Sequence, residues 1–193
     1  MGAEYERKYK ADVEILGSVY TTFPARWQTI QMETAYYDTP NGDLSARRWT
    51  LRKRLENGTY ICALKTPGEG NVRGEWETEC DSIEAAISEL CKLGCPAELE
   101  DLCADGLVNT CGARFTRKAG LFTLRDCVME IALDEGVLTG GGKELPLCEL
   151  EAELKEGSRE AMDAFAEELA QIYGMQVESK SKFARAIALY KEG

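Results

Sequence analysis

Charged residues recur at every second position in several segments of this 193-residue chain. Near the N-terminus, Glu4, Glu6 and Lys8 alternate with two tyrosines and an arginine. Because the side chains of a β-strand alternate between its two faces, a strand here places two carboxylates and an ammonium group on one face. That face is either a solvated edge or the start of an ionic site.

Later segments repeat this alternation in blocks of like charge. A sheet with one face in water explains any single row of this kind. Like charges in a row repel one another unless an opposite charge compensates them. We therefore expect the rows to face one another across the interior of a barrel. The basic positions include Arg52, Arg54 and Lys65, and the acidic rows are Glu75 with Glu77 and Glu79, Glu130 with Asp134, and Glu149 with Glu151 and Glu153.

These residue types indicate the chemistry of the site. Carboxylates bind hard cations such as Mg²⁺ or Mn²⁺ through oxygen. Arginine and lysine bind phosphate oxygens. A barrel lined with both predicts a site for a metal-bound polyanion, and a chain of phosphates fits best.

Composition excludes several classes of function. The net charge of −11 argues against a surface for nucleic acid or anionic membranes, which needs a basic footprint. The chain has no histidine, so a serine–histidine or cysteine–histidine triad is excluded.

No apolar run is long enough to span a bilayer, and the N-terminus does not resemble a signal peptide, which predicts a cytoplasmic protein. Eight cysteines without a C-x-x-C pair are typical of reduced, buried thiols.

The pattern of elements predicts one α+β domain over residues 1–193. Asn57-Gly58 between two strand-like runs indicates a hairpin. The whole pattern favours an eight-stranded antiparallel β-barrel with flanking helices. Predicted strands cover residues 3–10, 27–38, 47–56, 59–66, 72–80, 113–120, 121–126, 127–136 and 148–157, with a loop at 139–146. Predicted helices cover residues 12–17, 81–94, 97–106, 158–174 and 179–193.

The N-terminal triplet Glu4-x-Glu6-x-Lys8 resembles the E-x-E-x-K signature of the CYTH domain, or triphosphate tunnel metalloenzyme, superfamily. The resemblance continues in order through residues 36–54, 63–66, 73–77, 129–136, 148–154 and 179–186. It implies an eight-stranded antiparallel barrel that forms a tunnel. It also implies activity on triphosphates with a divalent metal.

The resemblance also implies roles for individual residues. The metal-side carboxylates are Glu4, Glu6, Glu151 and Glu153. The phosphate-binding residues are Lys8, Arg52, Arg54, Lys65, Arg73 and Arg117, with Lys180, Lys182 and Arg185 from the basic C-terminal segment. The residues expected to take part in catalysis are Lys8, Glu75, Glu77, Glu130, Asp134 and Lys182.

The resulting hypothesis is hydrolysis of the terminal phosphate of a triphosphate, with inorganic tripolyphosphate as the first choice and one or two Mg²⁺ or Mn²⁺ ions as cofactor. Without histidine, the general base is a carboxylate, a lysine of lowered pKa or a metal-bound hydroxide. A class IV-type adenylate cyclase, a nucleotide triphosphatase and a thiamine triphosphatase are the enzymatic alternatives. A non-catalytic sensor of polyphosphate or nucleotide is the alternative of another class. The expected partner is the small-molecule triphosphate, and a homodimer is left open.

Overall fold

An antiparallel β-sheet forms the centre of the protein. The computed structural model describes residues 5–67, 73–124 and 126–191, and of Arg73 only the backbone. The strands are β1 (Tyr5–Lys10), β2 (Gln28–Asp38), β3 (Thr50–Glu56), β4 (Thr59–Pro67), β5 (Arg73–Glu79), β6 (Val108–Thr123), β7 (Cys127–Gly140), β8 (Lys143–Gly157) and β9 (Gln176–Val177). Hydrogen-bonded neighbours follow the order β5-β4-β3-β2-β6-β7-β8-β1-β9.

Helices flank the sheet, and their ends follow local side-chain chemistry. Asp12, Ser82 and Ser158 each accept a hydrogen bond from the backbone N–H three residues later, and so begin a helix. Gly174 ends one helix in the left-handed conformation, with φ of 66°. The helices are α1 (Val13–Thr22), α2 (Asp43–Ala46), α3 (Ile83–Lys92), α4 (Glu98–Leu102), α5 (Arg159–Tyr173) and α6 (Lys182–Lys191).

Two apolar clusters cover one face of the sheet. In the first, Tyr9 and Leu150 pack with Met162 of α5. In the second, Leu64 of β4 packs with Leu90 of α3. Each fully buried side chain of this size contributes roughly 1.5–3 kcal/mol. These contacts orient the strands so that their charged side chains point to the other face.

Helix α6 lies against that other face. The ring of Phe183 is 4.9 Å from the ring of Tyr36 on β2, and Ala186 is fully buried. Helix α6 comes closest to the sheet at Gly140 of β7, where an added Cβ atom would lie 2.5 Å from the carbonyl oxygen of Ala186. Glycine at position 140 therefore allows α6 to pack against β7.

Strand β6 corrects the predicted division of residues 113–126 into two strands. Gly120 continues β6, whereas its residue type predicted a turn. A Cβ atom at position 120 would lie 2.9 Å from the Cβ atom of Ala25 and 3.1 Å from the ring of Trp27. This glycine therefore serves a close approach of another segment rather than a turn.

The predicted loop at 139–146 is also wrong. Strands β7 and β8 extend into it as far as a two-residue turn at Gly141 and Gly142, whose φ angles are 57° and 73°. Positive φ at both central residues is what a tight hairpin turn needs. The predicted hairpin turn at Asn57-Gly58 is confirmed, with φ of 48° and 93°.

The predicted fold class is confirmed as an antiparallel sheet of eight longer strands with flanking helices. The short β9 was not predicted, and it pairs with β1. The helix predicted at 12–17 extends to Thr22. Within the described ranges no backbone ladder joins β5 to β9, so hydrogen bonds do not close the barrel at that seam.

Candidate functional site

Strand register gathers the charged side chains of the sheet on one face, here called the charged face. Directly opposite residues of an antiparallel pair point to the same side. Lys8 pairs with Glu151 across β1 and β8, and Arg117 pairs with Asp134 across β6 and β7. Following the register across all pairs, the charged face carries Glu6, Lys8, Lys10, Arg52, Arg54, Glu56, Lys65, Glu75, Glu77, Glu79, Arg117, Glu130, Asp134, Glu149, Glu151 and Glu153.

Three carboxylates, Asp134, Glu149 and Glu151, form an acid cluster on this face. Each offers one oxygen, and these oxygens lie within 4.8 Å of one another. Asp134 and Glu149 are fully buried. Buried carboxylates need compensating charge, because the low dielectric of the interior makes an unpaired charge costly.

Three cations supply that compensation to the acid cluster. Arg117 donates from Nε and Nη2 to the two oxygens of Asp134, at 2.8 and 2.7 Å. Its Nη2 also lies 2.5 Å from Glu151 Oε2. Lys182 of α6 places Nζ 2.8 Å from Asp134 Oδ2 and 2.8 Å from Glu151 Oε1, and it also pairs with Glu149. Arg185 pairs with Glu149 as well.

The environment shifts the pKa values of these groups in different directions. Burial works against the charged form of Glu151, but Lys182 and Arg117 outweigh it and lower its pKa to about 2. Burial raises the pKa of Glu149, and the neighbouring charge of Glu151 adds to that rise. Burial disfavours the ammonium of Lys182, but Asp134 and the two glutamates outweigh it and raise its pKa. Lys182 is therefore held as a cation, which makes it a poor proton acceptor.

Three cationic side chains on β3 and β4, here called the basic group, lie on the charged face: Arg52, Arg54 and Lys65. Arg52 Nη2 is 3.0 Å from Glu77 Oε1 and 3.6 Å from Glu75 Oε1, and Lys65 Nζ is 2.8 Å from the same Glu75 oxygen. Arg54 Nη2 is 3.0 Å from Glu56 Oε2. Burial, then the charge of Arg52, lowers the pKa of Arg54. An anion bound here would relieve that repulsion.

Some donors of the basic group are still available. The buried Nε atoms of Arg52 and Arg54 have no hydrogen-bond partner among the described residues. Buried donors of this kind normally have one. Arg52 and Arg54 lie two residues apart on one face of β3, and two neighbouring guanidinium groups with unused donors fit a bound anion with several oxygens.

A third set of charges lies around the N-terminal end of β1. Glu6 is opposite Glu153, which in turn is opposite Glu130. Lys8 Nζ lies 3.4 Å from Glu6 Oε1, and Lys155 Nζ lies 2.8 Å from Glu153 Oε1. The side chain of Glu6 is 42% exposed, so this set is open to solvent where the acid cluster is not.

Most residues selected from the sequence lie on the charged face or reach it, and the exceptions are Glu4, Arg73 and Lys180. Glu4 and the side chain of Arg73 lie outside the described part of the chain. Lys180 is exposed, and its backbone N–H donates to Glu178 Oε1 at 2.9 Å. The other selected residues lie on the charged face or, for Lys182 and Arg185, reach it from α6.

Three further carboxylates contribute to this face. The sequence placed Glu149 in the acidic row with Glu151 and Glu153, but the resemblance implied no role for it. Glu56 lies two residues after Arg54 in β3 and therefore on the same face of the strand. Glu178 lies 3.7 Å from Arg185 Nη1, and no periodicity of its segment predicts this contact.

The donor set fits a hard divalent cation. Carboxylate oxygens are the ligands that such cations prefer, and the acid cluster brings three of them within reach of one ion. The same oxygens are bound by Arg117, Lys182 and Arg185. An ion at the acid cluster would therefore have to displace cations of the protein. The carboxylates around Glu6 and Glu153 carry fewer such contacts.

No helix in the described residues is long and apolar enough to cross a membrane.

Comparisons with known proteins identify the family and the fold. The family model described as the CYTH domain matches residues 2–187. An inorganic triphosphatase of Haemophilus influenzae is 27% identical over 164 residues, which cover 84% of this chain and 47% of that protein. The chain thus spans about half the length of this curated relative.

Solved structures share the fold. A putative adenylyl cyclase from Hippeastrum, described as having a dominant triphosphatase activity, aligns with a TM-score of 0.68 and 20% identity over 98% of this chain and 96% of that one. A Pyrococcus horikoshii protein aligns with a TM-score of 0.63 and 23% identity over 96% and 98% of the two chains.

Proposed function

Because the chain belongs to the CYTH domain family, we propose that it hydrolyses the terminal phosphate of a triphosphate with the help of a divalent metal. Inorganic tripolyphosphate is the proposed substrate. The curated relative is an inorganic triphosphatase, and the Hippeastrum neighbour is described as having a dominant triphosphatase activity. Hydrolase chemistry on a phosphoanhydride is thus what these relatives have in common.

One observation carries the proposal. The charged face combines a basic group that retains unpartnered buried donors with carboxylates that outnumber their cations near β1. A triphosphate needs cations along its length, and a metal needs oxygen ligands beside it. Buried arginine donors normally have a partner, so the unpartnered Nε atoms of Arg52 and Arg54 favour an added ligand; the Nε atom of Arg185 at the acid cluster is unpartnered among the described residues as well.

The proposed substrate contacts follow from these positions. Arg52 and Arg54 bind phosphate oxygens through their available donors, and Lys65 and Lys8 add positive charge on either side. Positive charge held in place stabilises the negative charge that develops on the leaving diphosphate. Arg73 and Lys180 are proposed to join when substrate binds.

The metal is proposed to sit near β1, held by Glu6, Glu151 and Glu153 together with Glu4. This position avoids displacing Lys182 and Arg185 from Glu149. Mg²⁺ or Mn²⁺, one or two ions, would act there as a Lewis acid on phosphate oxygens. Both oxygens of Glu151 contact Arg117 and Lys182, so an ion held by Glu151 would have to share or displace those two contacts.

Attack by water requires a proton acceptor, and the chain has no histidine. Lys182 is held as a cation by the acid cluster, so a carboxylate is the better acceptor. Glu130, Glu75 and Glu77 are the proposed candidates, because each lies on the charged face outside the acid cluster. Asp134 is instead proposed to hold Arg117 and Lys182 in place.

The test is a comparison of substrates and products with the purified chain. We expect phosphate release from tripolyphosphate to exceed release from ATP or thiamine triphosphate, to need Mg²⁺ or Mn²⁺, and to stop with a chelator. Cyclic AMP as the principal product from ATP would replace this proposal with a cyclase. Binding of tripolyphosphate without turnover at any metal concentration would replace it with a sensor.

A further inference from the structure

A pair of cysteines lies outside the charged face, where α3 ends. Cys91 is in the last turn of α3, and Cys95 follows after Gly94, whose φ of 88° reverses the chain. The backbone N–H of Cys95 then donates to the carbonyl of Leu90 at 3.2 Å. This turn folds Cys95 back against the helix end and brings the two thiols together.

The two sulfur atoms are 3.6 Å apart. A disulfide bond is about 2.05 Å long, so a shift of roughly 1.5 Å would join them. Cys95 is buried at 7% exposure, whereas Cys91 is partly exposed. The proximity therefore combines an accessible thiol with a sheltered one in the same short segment.

We propose that Cys91 and Cys95 form a dithiol site that exchanges with small-molecule disulfides, such as oxidised glutathione, to give an intrachain disulfide. In the first step Cys91, having released its proton to solvent, attacks one sulfur of the small disulfide. A mixed disulfide forms on Cys91, the S–S bond of the small molecule breaks, and its departing thiolate takes up a proton.

The second step closes the pair. Cys95 attacks the Cys91 sulfur, the mixed S–S bond breaks, and the second small thiol leaves with the proton of Cys95. The protein loses two electrons and two protons in all, and the small disulfide is reduced to two thiols. The order follows from access, because Cys91 is partly exposed to an incoming molecule and Cys95 is buried.

The resting state of Cys95 supports this order. Burial, with the hydrogen bond to Cys91, raises the pKa of Cys95 to about 12. It therefore stays protonated and does not itself attack a small disulfide in solvent, and in the second step it must pass its proton to the departing small thiolate as its sulfur bonds to that of Cys91. Cys103 lies in the same apolar cluster and is buried at 7% exposure. It is the neighbouring thiol against which the assignment must be tested.

The modification would tie the end of α3 to the segment that leads into α4. Helix α3 covers the apolar face of β4, and Lys65 lies on the opposite face of the same strand. The dithiol site is therefore separated from the charged face by the sheet. Its existence does not depend on the proposed triphosphatase activity.

The experiment equilibrates the full chain with defined ratios of reduced to oxidised glutathione, quenches with acid, blocks free thiols with an alkylating reagent and maps the products by mass spectrometry. We expect a Cys91–Cys95 disulfide to accumulate as the buffer becomes more oxidising, and to disappear on reduction. Phenylarsine oxide, which binds paired thiols, should protect the same two cysteines in reducing buffer.

Matched variants separate the two roles. Cys95→Ser should stop at a stable glutathione adduct on Cys91, and Cys91→Ser should leave Cys95 unmodified. Cys148→Ser, which changes another partly exposed thiol, should behave like the unaltered chain. Thermal melting of each variant confirms that it is folded.

Three results would overturn the proposal. One is the absence of a Cys91–Cys95 link in the unaltered chain at every glutathione ratio. Another is a link from Cys91 to Cys103 in its place. The third is a glutathione adduct on Cys95 in the Cys91→Ser variant at the rate seen for Cys91. The first two need no variant, so misfolding of a variant cannot obscure them.

Discussion

Lys182 Nζ lies 2.8 Å from Asp134 Oδ2, which joins the closing helix to a fully buried carboxylate of the sheet. The two residues are 48 positions apart in sequence, and the contact fixes where α6 meets the charged face. Its loss would leave the buried negative charge of the acid cluster only partly compensated, by Arg117 and Arg185, which is more costly than losing the attraction itself.

Replacing Lys182 by methionine tests this link, because methionine keeps most of the apolar stem. We expect the free energy of unfolding to fall by about 3 kcal/mol, as is typical when one partner of a buried ion pair is removed. Urea unfolding at pH 7 measures it. The exposed Lys180→Met should change it by less than about 0.5 kcal/mol. Adding Glu149→Gln to Lys182→Met should recover part of the loss; equal losses in the single and double variants would contradict the pairing.

Arg52→Gln tests the proposed phosphate contact. Loss of a charge-assisted contact of about 1.4 kcal/mol should raise the KM for tripolyphosphate about tenfold, with a smaller change in kcat. Lys53→Gln is the matched control, since Lys53 points to the opposite face and donates to the carbonyl of Asp81 at 3.2 Å. An equal rise in KM for both variants would show that local charge, rather than the charged face, governs binding.

Glu153→Gln tests the proposed metal position. Removing one carboxylate ligand should raise the metal concentration for half-maximal activity by at least about tenfold, since even groups outside the ligand shell have effects of that size. Calorimetric titration with Mn²⁺ gives a readout independent of turnover. Glu135→Gln changes an exposed carboxylate on the other face of β7 and should leave both values unchanged. Unaltered Mn²⁺ binding in Glu153→Gln would place the metal elsewhere.

Asp163→Asn tests an ion pair that holds α5 to β1. Arg7 donates to both oxygens of Asp163, at 2.7 and 2.8 Å, and lowers the pKa of that carboxyl. A carboxyl whose pKa is lowered on folding stabilises the fold above its unfolded pKa of about 3.9, and loses that effect as the pH falls through the folded pKa.

Because Arg7 is 40% exposed, solvent screens this pair, and we expect the variant to lose about 1 kcal/mol at pH 7. The difference from the unaltered chain should shrink steadily below pH 4, as urea unfolding across that range would record. Glu168→Gln, an exposed change on the same helix, should show neither effect. A difference that stays constant from pH 7 to pH 3 would contradict the linkage.

Local features of the fold were predictable because they depend on neighbours in sequence. The positions of Leu51 and Leu55 on either side of Arg52 and Arg54 indicated which face the two arginines occupy, since the period of a strand is two. Ser158 and Gly174 marked the ends of α5 for a similar reason. The turn predicted at Gly120 was wrong because glycine is needed there for the close approach of Ala25. Ala25 is far away in sequence, so the residues around Gly120 do not indicate this contact.

The sequence by itself determined where most strands lie, the hairpin turn at Asn57-Gly58 and the face on which most charged side chains lie. Only the tertiary structure decided which charges meet. Odd or even position along a strand sets the face on which a side chain lies. Strand register and the packing of α6 set which opposite charge it meets, and both depend on contacts between segments far apart in the chain. Glu149 therefore became part of a buried cluster with Lys182, while Lys180, two residues from that lysine, remained exposed to solvent.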